Sequence, residues 1–478
     1  MHSKTVWIIA DHGLAIVYFL QSQVIEELKA SGAKIVVLID DSLIVKIADR
    51  FQSLEIQFEG LRLSEAMASA NHLSDIQWWL QFIRRVGGSN KINTGAMDSY
   101  IDQVSVEEPN RRRLFMPFAR LLIKLLRRSR FARKSLVRLQ EYFTFDLYSD
   151  LFEKYEPDLI ISSTPGWRLD RYLLREAVAR GIPRAFVVVG WDNPSSYSLP
   201  GVRMDYVSCW SEIQKEELEK GSDWPEDRIH VGGIPTYDGY ITKKWVVPRG
   251  EYFAQHGLDP LEKLLSYACS FISFSPNLQN IEALLKIMDA GKLKEPCQLL
   301  IRLHPNHFMD VHLFANEREQ IRSLARSRSN VHVVDPIPLG GSLGYYSGED
   351  MPEKASMLAY SDIFLTVYST MVVEAALHDR PVISVCIDSP KGWDVPRKYS
   401  LPLSEIGNWP THDRFRRARA GQVAESQQEL QDAINQYLES PDLDCEARSR
   451  FIEREITFTD GSAGRRTGKF LCSLLTQD

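Results

Sequence analysis

The chain is poor in cysteine, and the six it has form no pattern. Cys209, Cys269, Cys297, Cys386, Cys445 and Cys472 show no CxxC and no Cys/His spacing, and several lie in apolar runs such as VISVCI. They read as reduced, buried thiols of a cytoplasmic protein, not as a disulfide framework. No run approaches 18 uninterrupted apolar residues, so no membrane-spanning helix is expected. The apolar start TVWIIADHGLAIVYFL is broken by Asp11 and His12 and leads to no small-residue cleavage site, which argues against a secretory signal. GxGxxG and Walker patterns are missing, as is a Rossmann acid at the right spacing, so NAD, FAD and ATP lack support and no cofactor is expected. No Asp-x-Asp stands at a strand end, and the reading calls for no metal. Repeats and low-complexity tracts are also lacking.

What is present suits a globular enzyme of two domains: 478 residues, 44% apolar and 25% charged, more than a single core accommodates. The net charge is a mild −6, but residues 111–138, RRRLFMPFARLLIKLLRRSRFARKSLVR, hold eleven Lys or Arg and no acid. On a helix this sets Leu, Ile and Phe beside a cationic face, the pattern of a segment lying on anionic lipid. The alternatives are a solvated basic helix and a binder of a phosphate-rich ligand. No nucleic-acid motif accompanies it and the whole chain is acidic, so nucleic acid is not an expected partner.

Strand and helix patterns alternate twice along the chain. TVWIIA, a helix through IEELKA and KIVVLID open a β-α-β unit, which predicts parallel pairing. Residues 61–155 are a long helical insertion, after which strands return at DLIISS, RAFVVVG, DYVSCWS and IHVGGI. Strand signals lapse over about 236–265, and a second series follows: LLSYACSFISFS, CQLLIRLHP, VHVVDP, DIFLTVYS and PVISVCI. Near-continuous apolar strands of this length belong to parallel sheets covered on both faces. The expected fold is α/β, with two Rossmann-like domains, 1–245 and 246–478, whose parallel sheets face each other across a cleft. Ligands in such sheets bind at the C-terminal ends of the strands.

Candidate residues are sought at those ends. After DIFLTVY, Ser369 is expected to cap a helix starting near Thr370, whose free N–H groups and positive end suit a phosphate. Glu374 lies one turn on, where it can accept hydrogen bonds from ribose hydroxyls; its bland role is an ion pair. In LLIRLHPNHF, Arg302 and His304 share one side of a buried strand. Arg302 therefore needs a carboxylate or a ligand phosphate, while His304 can serve a diphosphate or transfer a proton. Ser275 and Asn277 in SFSPN are further donor contacts or plain turn residues. In the first half, Asp11, His12 and Gly13 end the opening strand: Asp11 or His12 suits a general base, or Asp11 caps the next helix. Thr164, Trp191, Asp192 and Asn193 end later strands and are candidates for acceptor binding.

The His-Pro strand end, the Ser-Asp strand, the Ser/Thr corner, the Glu and the Pro-Val-Ile strand together resemble the C-terminal domain of GT-B enzymes of bacterial surface polysaccharide synthesis. Related families are the CDP-glycerol glycerophosphotransferases and the UDP-N-acetylglucosamine 2-epimerases, and FTDGSAGRRTGKFL resembles the ending of the first. Val367 departs from the pattern, where many relatives carry Asp. So do Asp379 and Arg380, where Gly-Lys is usual. The resemblance implies a nucleotide-sugar donor as co-substrate, with Ser369 and Thr370 on its phosphates, His304 near the diphosphate and Glu374 on the ribose. Taken with the missing Asp-x-Asp and the basic segment 111–138, the expected protein is a metal-independent glycosyltransferase acting on a glycan or lipid-linked glycan acceptor of capsule or lipopolysaccharide type, cytoplasmic and held at the inner membrane face by that segment. A CDP-glycerol-type polyol-phosphate transferase and a sugar-nucleotide epimerase are the alternatives.

Overall fold

The structure is a computed structural model and describes residues 4–71, 74–107, 110–271, 277–340, 346–388 and 402–476. It divides into two compact units, one chiefly Met1–Asp238 with Ile456–Asp478, the other chiefly Gly239–Pro338 with Gly344–Glu455.

In the first unit the apolar runs form a parallel sheet of β1 (Thr5–Ile9), β2 (Lys34–Ile39), β3 (Gln57–Gly60), β4 (Leu159–Ser162), β5 (Arg184–Val187), β6 (Tyr206–Cys209) and β7 (Ile229–Val231). The spatial order is β3-β2-β1-β4-β5-β6-β7. In the second unit β8 (Lys263–Ala268), β9 (Cys297–Arg302), β10 (Val331–Val334), β11 (Ile363–Thr366), β12 (Val382–Val385) and β13 (Gln422–Ala424) are ordered β10-β9-β8-β11-β12-β13. Every pairing in both sheets is parallel. Each is a doubly wound sheet of Rossmann order, with its switch point between β1 and β4 or between β8 and β11.

The central strands are buried on both faces, as a sheet covered by helices on each side requires: β1, β4 and β9 have no exposed residue. Trp7, Val36, Ile160, Tyr172 and Leu173 belong to one core, and Leu265, Leu299, Ile301, Ile363 and Ile434 to the other. Two strands go beyond the sequence expectation. β3 and β13 are short and half-exposed, so the apolar signal that marks a central strand is absent from QFEG and QVA.

Between β3 and β4 the described elements are all helices. Phe82, Met97, Ile123, Leu126 and Leu136 give this insertion a core of its own.

The end of the chain differs from the expectation that placed it in the second domain. Helix Ala463–Ser473 packs in the first unit against helix Gln23–Ala30. The glycines of GSAGRRTGKF permit this: a Cβ on Gly468 would stand 2.6 Å from Glu27 Cβ, and one on Gly464 2.9 Å from the Gln23 backbone nitrogen. The Asp238 carboxylate accepts the N–H groups of Ala463 at 3.0 Å and Gly464 at 2.8 Å, which fixes the start of the helix.

Candidate active site

In the first unit the switch point gathers the ends of β1 and β4. Asp11 is buried there; it accepts the hydroxyl protons of Ser163 at its Oδ1 (3.1 Å) and Thr164 at its Oδ2 (3.0 Å). His12, not Asp11, caps the following helix Gly13–Leu20, its Nδ1 accepting the Ala15 N–H at 3.1 Å. That bond leaves the proton of the neutral ring on Nε2, and burial lowers the basicity of His12, with Arg168 acting the same way and Asp11 opposing it. Gly13 is the first residue of that helix.

Behind Thr164 lies a carboxylate that the strand-end pattern does not single out. Asp170, fully buried at the start of helix Asp170–Ala179, has its Oδ2 2.8 Å from Thr164 Oγ1 and accepts the N–H groups of Gly166 and Arg168. Burial, with Asp11 next, raises its carboxyl to about 7. The one available signal was an acid in the first helical turn after a strand.

The other acceptor candidates lie after β5. Trp191 is 1% exposed, so its ring is enclosed by protein rather than offered to a sugar. Asp192 precedes the short helix Asn193–Ser196, and the Asn193 Oδ1 accepts the Gly190 N–H at 2.8 Å. A partly open aromatic pair stands elsewhere: Trp167 stacks on Tyr197 at 4.8 Å, and both are half-buried.

In the second unit β9 ends at Arg302 and His304. Arg302 is 3% exposed and meets two carboxylates, Asp350 at its Nη2 and Glu353 at its Nε (2.8 Å). The counter-charge its burial demanded is thus protein, and its role here is to hold β9 and helix Met351–Tyr360 together. A cavity of about 530 Å³ lies beside this cluster, lined by Val333, Arg322, His256 and the same Asp350 and Glu353. His304 Nδ1 accepts the Asn306 N–H at 3.1 Å, so its Nε2 carries the proton and stands 3.2 Å from Tyr346 Oη. Burial pushes the imidazole down to about 3, helped by the positive surroundings of His307, Arg302 and Lys354. His304 is therefore a neutral N–H donor.

The corner after β11 turns through Tyr368, whose φ of +25° is outside the usual range for a non-glycine residue. The helix begins one residue later than expected: Met371–Leu377 has Thr370 at its cap, and Ser369 Oγ accepts the Met371 N–H at 3.2 Å. Ser369 and Thr370 are both half-buried, neither closed off nor fully open. Glu374 is 6% exposed and ion-paired with Lys354 Nζ at 2.7 Å. Asn277 is buried and closes its own loop, accepting the Ser270 N–H at 2.9 Å and donating to the Ser270 carbonyl and to Glu317. Ser275 lies outside the described residues.

Residues 195–473, more than half of the chain, match the family described as CDP-Glycerol:Poly(glycerophosphate) glycerophosphotransferase. The chain belongs to this glycerophosphotransferase family. No curated protein matches it by sequence. Among solved structures it is similar to the UDP-GlcNAc 2-epimerase of Neisseria meningitidis bound to UDP-GlcNAc, with 14% identity, a TM-score of 0.55, and coverage of 99% of this chain and 100% of that one. S. aureus MnaA in co-structure with UDP gives 11% identity and a TM-score of 0.53, covering 100% of this chain and 99% of that one. A glycosyltransferase from Rickettsia africae ESF-5 gives 12% identity and a TM-score of 0.52 over 100% of both chains. At these identities the likeness is one of fold. The glycerophosphotransferase-family chain is a transferase with two Rossmann-like units of GT-B type, and the matched span takes in all of β8 to β13 and both glycines of the last helix.

Proposed function

We propose that the chain moves a sugar from a nucleotide-sugar donor to a hydroxyl of a surface-glycan acceptor of capsule or lipopolysaccharide type. The observation that supports this most is the neutral His304 at the end of β9, whose Nδ1 is already bonded and whose Nε2–H rests on the Tyr346 hydroxyl at 3.2 Å, a partner that a diphosphate oxygen can replace. Such a group stabilises charge that develops on a leaving diphosphate without carrying charge itself beforehand. Ser369 and Thr370 contribute hydroxyls to the same phosphates, and Glu374, steadied by Lys354, accepts from the ribose. On the acceptor side Asp11 takes the hydroxyl proton as the new bond to the anomeric carbon forms and the bond to the nucleoside diphosphate breaks. His12 is less suited to that step, because its Nδ1 is engaged and its Nε2 already bears a proton. Gly13, Thr164, Asp192 and Asn193 frame the acceptor; Trp167 takes the stacking role given to Trp191 from sequence. No metal or cofactor enters the scheme.

The enzyme works, on this reading, at the inner face of the cytoplasmic membrane. Helix Asn110–Arg128 turns Met116, Ala119, Ile123 and Leu126 inward yet leaves Leu114 81%, Phe115 63%, Phe118 68% and Leu125 56% exposed among its cations. A bare apolar stripe of this size favours contact with anionic lipid over the solvated alternative.

The family match favours a second reading, transfer of a polyol phosphate from a CDP-linked donor. The attacked atom is then phosphorus and the leaving group CMP. The epimerase alternative has only likeness of fold behind it. Incubation with a panel of CDP- and UDP-linked donors and glycan acceptor, with the released nucleotide identified, separates the readings. Nucleoside diphosphate marks sugar transfer, CMP from a CDP-polyol marks the second reading, and no acceptor-dependent release from any donor would count against both.

A further inference from the structure

The first unit gathers arginines that have no acidic partner. Arg84, Arg171 and Arg175 are 5%, 8% and 4% exposed, and Arg85 and Arg168 are half-buried. Among the described residues none of the five forms an ion pair. Their hydrogen bonds go to backbone carbonyls: Arg84 Nη1 donates to Leu199 (2.7 Å), Arg171 Nη1 to Arg168 (2.7 Å), and Arg175 to Phe143 and Gly201. The Nε–H groups of Arg85, Arg171 and Arg175 are buried with no acceptor. Nearby acids are committed elsewhere: Glu141 is bound by Arg203, and Asp170 by Thr164 and two backbone N–H groups. Burial, with Arg85, Arg171 and Arg175 next in order, pushes Arg84 down to about 9. Unpaired buried cations are costly, and guanidinium groups close enough to act on one another, as Arg85, Arg171 and Arg175 act on Arg84, fit an oxygen-rich anion better than a single carboxylate.

The backbone here is locked in place. Gly166 takes φ +77°, Gly201 donates to the Pro165 carbonyl at 2.7 Å, and a Cβ on Gly201 would fall 2.0 Å from the Gly166 carbonyl oxygen. The loop bearing Trp167 and Arg168 is thereby pinned to the one bearing Leu199. Arg85 packs on the Tyr100 ring at 3.6 Å and lies 5.1 Å from the Tyr197 ring, on which Trp167 stacks. Arg168 follows Thr164 in the loop after β4, at the same sheet end as Asp11 and His12.

We propose that Arg84, Arg85, Arg168 and Arg171 form an anion site for a phosphate or diphosphate ester group of the acceptor, with Trp167 and Tyr197 against the sugar or polyol attached to it. The assignment rests on the reading of the first unit as the acceptor side. The test is calorimetric titration of the full chain with inorganic pyrophosphate, comparing wild type, the double variant Arg85→Gln/Arg168→Gln and Arg168→Lys, with CDP and UDP titrated in parallel. These two arginines are half-exposed, so neutral replacements leave the packed Arg84 and Arg171 in place. The double variant is expected to bind pyrophosphate about tenfold more weakly or worse, Arg168→Lys to lose less, and nucleotide affinity to hold. Pyrophosphate binding that is absent in wild type, or equal in the double variant, would overturn the site. Failure of both nucleotides to bind, with the arginine-dependent pyrophosphate effect intact, would overturn the donor reading and leave the anion site standing.

Discussion

The hydroxyl of Thr164 stands 3.0 Å from Asp11 Oδ2 and 2.8 Å from Asp170 Oδ2, yet it has one proton to give. Both contacts are hydrogen bonds only when one carboxyl is protonated, and the raised Asp170, near 7, is that group. Its folded value lies above the ordinary 3.8, so its contribution to stability is full below that ordinary value and is lost as pH rises through about 7. In the proposed reaction the neutral Asp170 keeps Thr164 and Asp11 in register, and its ionisation places a second buried negative charge beside the base. Asp170→Asn, fixed in the neutral form, should retain the rate below pH 7 and move the alkaline limb of the pH–rate profile upward; an unmoved limb would remove Asp170 from the proton account. Single residues were unevenly legible. The need of Arg302 for a counter-charge followed from one cation in an apolar strand, and Asp350 and Glu353 supply it. That Trp191 is enclosed and Trp167 half-open was not legible, because both follow a strand within a few residues and only packing separates them.

At the scale of elements, central strands announced themselves and edge strands did not. TVWII and CQLLIR are buried along their whole length, whereas QFEG and QVA are polar, short and open on one side. The basic segment was visible as a cationic amphipathic helix, but its division into an inward and an outward apolar face needed the packing of Met116, Ile123 and Leu126. Phe118→Ser with Leu125→Ser alters only the outward face. It is expected to leave the thermal unfolding midpoint nearly unchanged and to weaken co-sedimentation with phosphatidylglycerol vesicles severalfold, while neutral vesicles bind neither protein well. Equal sedimentation of variant and wild type would take this helix off the membrane. Among the described residues no helix is long and apolar enough to cross a bilayer.

For the whole molecule, the doubled alternation of apolar runs corresponds to two parallel sheets; Asp11, His12 and Thr164 follow the strands at the first switch point and Ser369 and Thr370 one strand of the second, while Arg302 and His304 lie one strand over, at the end of β9. The return of the last helix to the first unit was not legible, since GSAGRRTGKF names small residues and leaves open what they approach. Helix Gln23–Ala30 is that neighbour, more than 400 residues earlier in the chain. The central claim is a division of labour, with His304 serving the leaving group and Asp11 the acceptor hydroxyl. The most direct measurement is single-turnover transfer from the donor found active, for wild type, His304→Ala, His12→Asn and Asp11→Asn, with nucleotide affinity measured on the same samples. We expect His304→Ala and Asp11→Asn each to lose about a hundredfold or more in rate, His12→Asn to lose less, and nucleotide binding to persist in Asp11→Asn. Product formation by His304→Ala or Asp11→Asn at the wild-type rate would contradict the account.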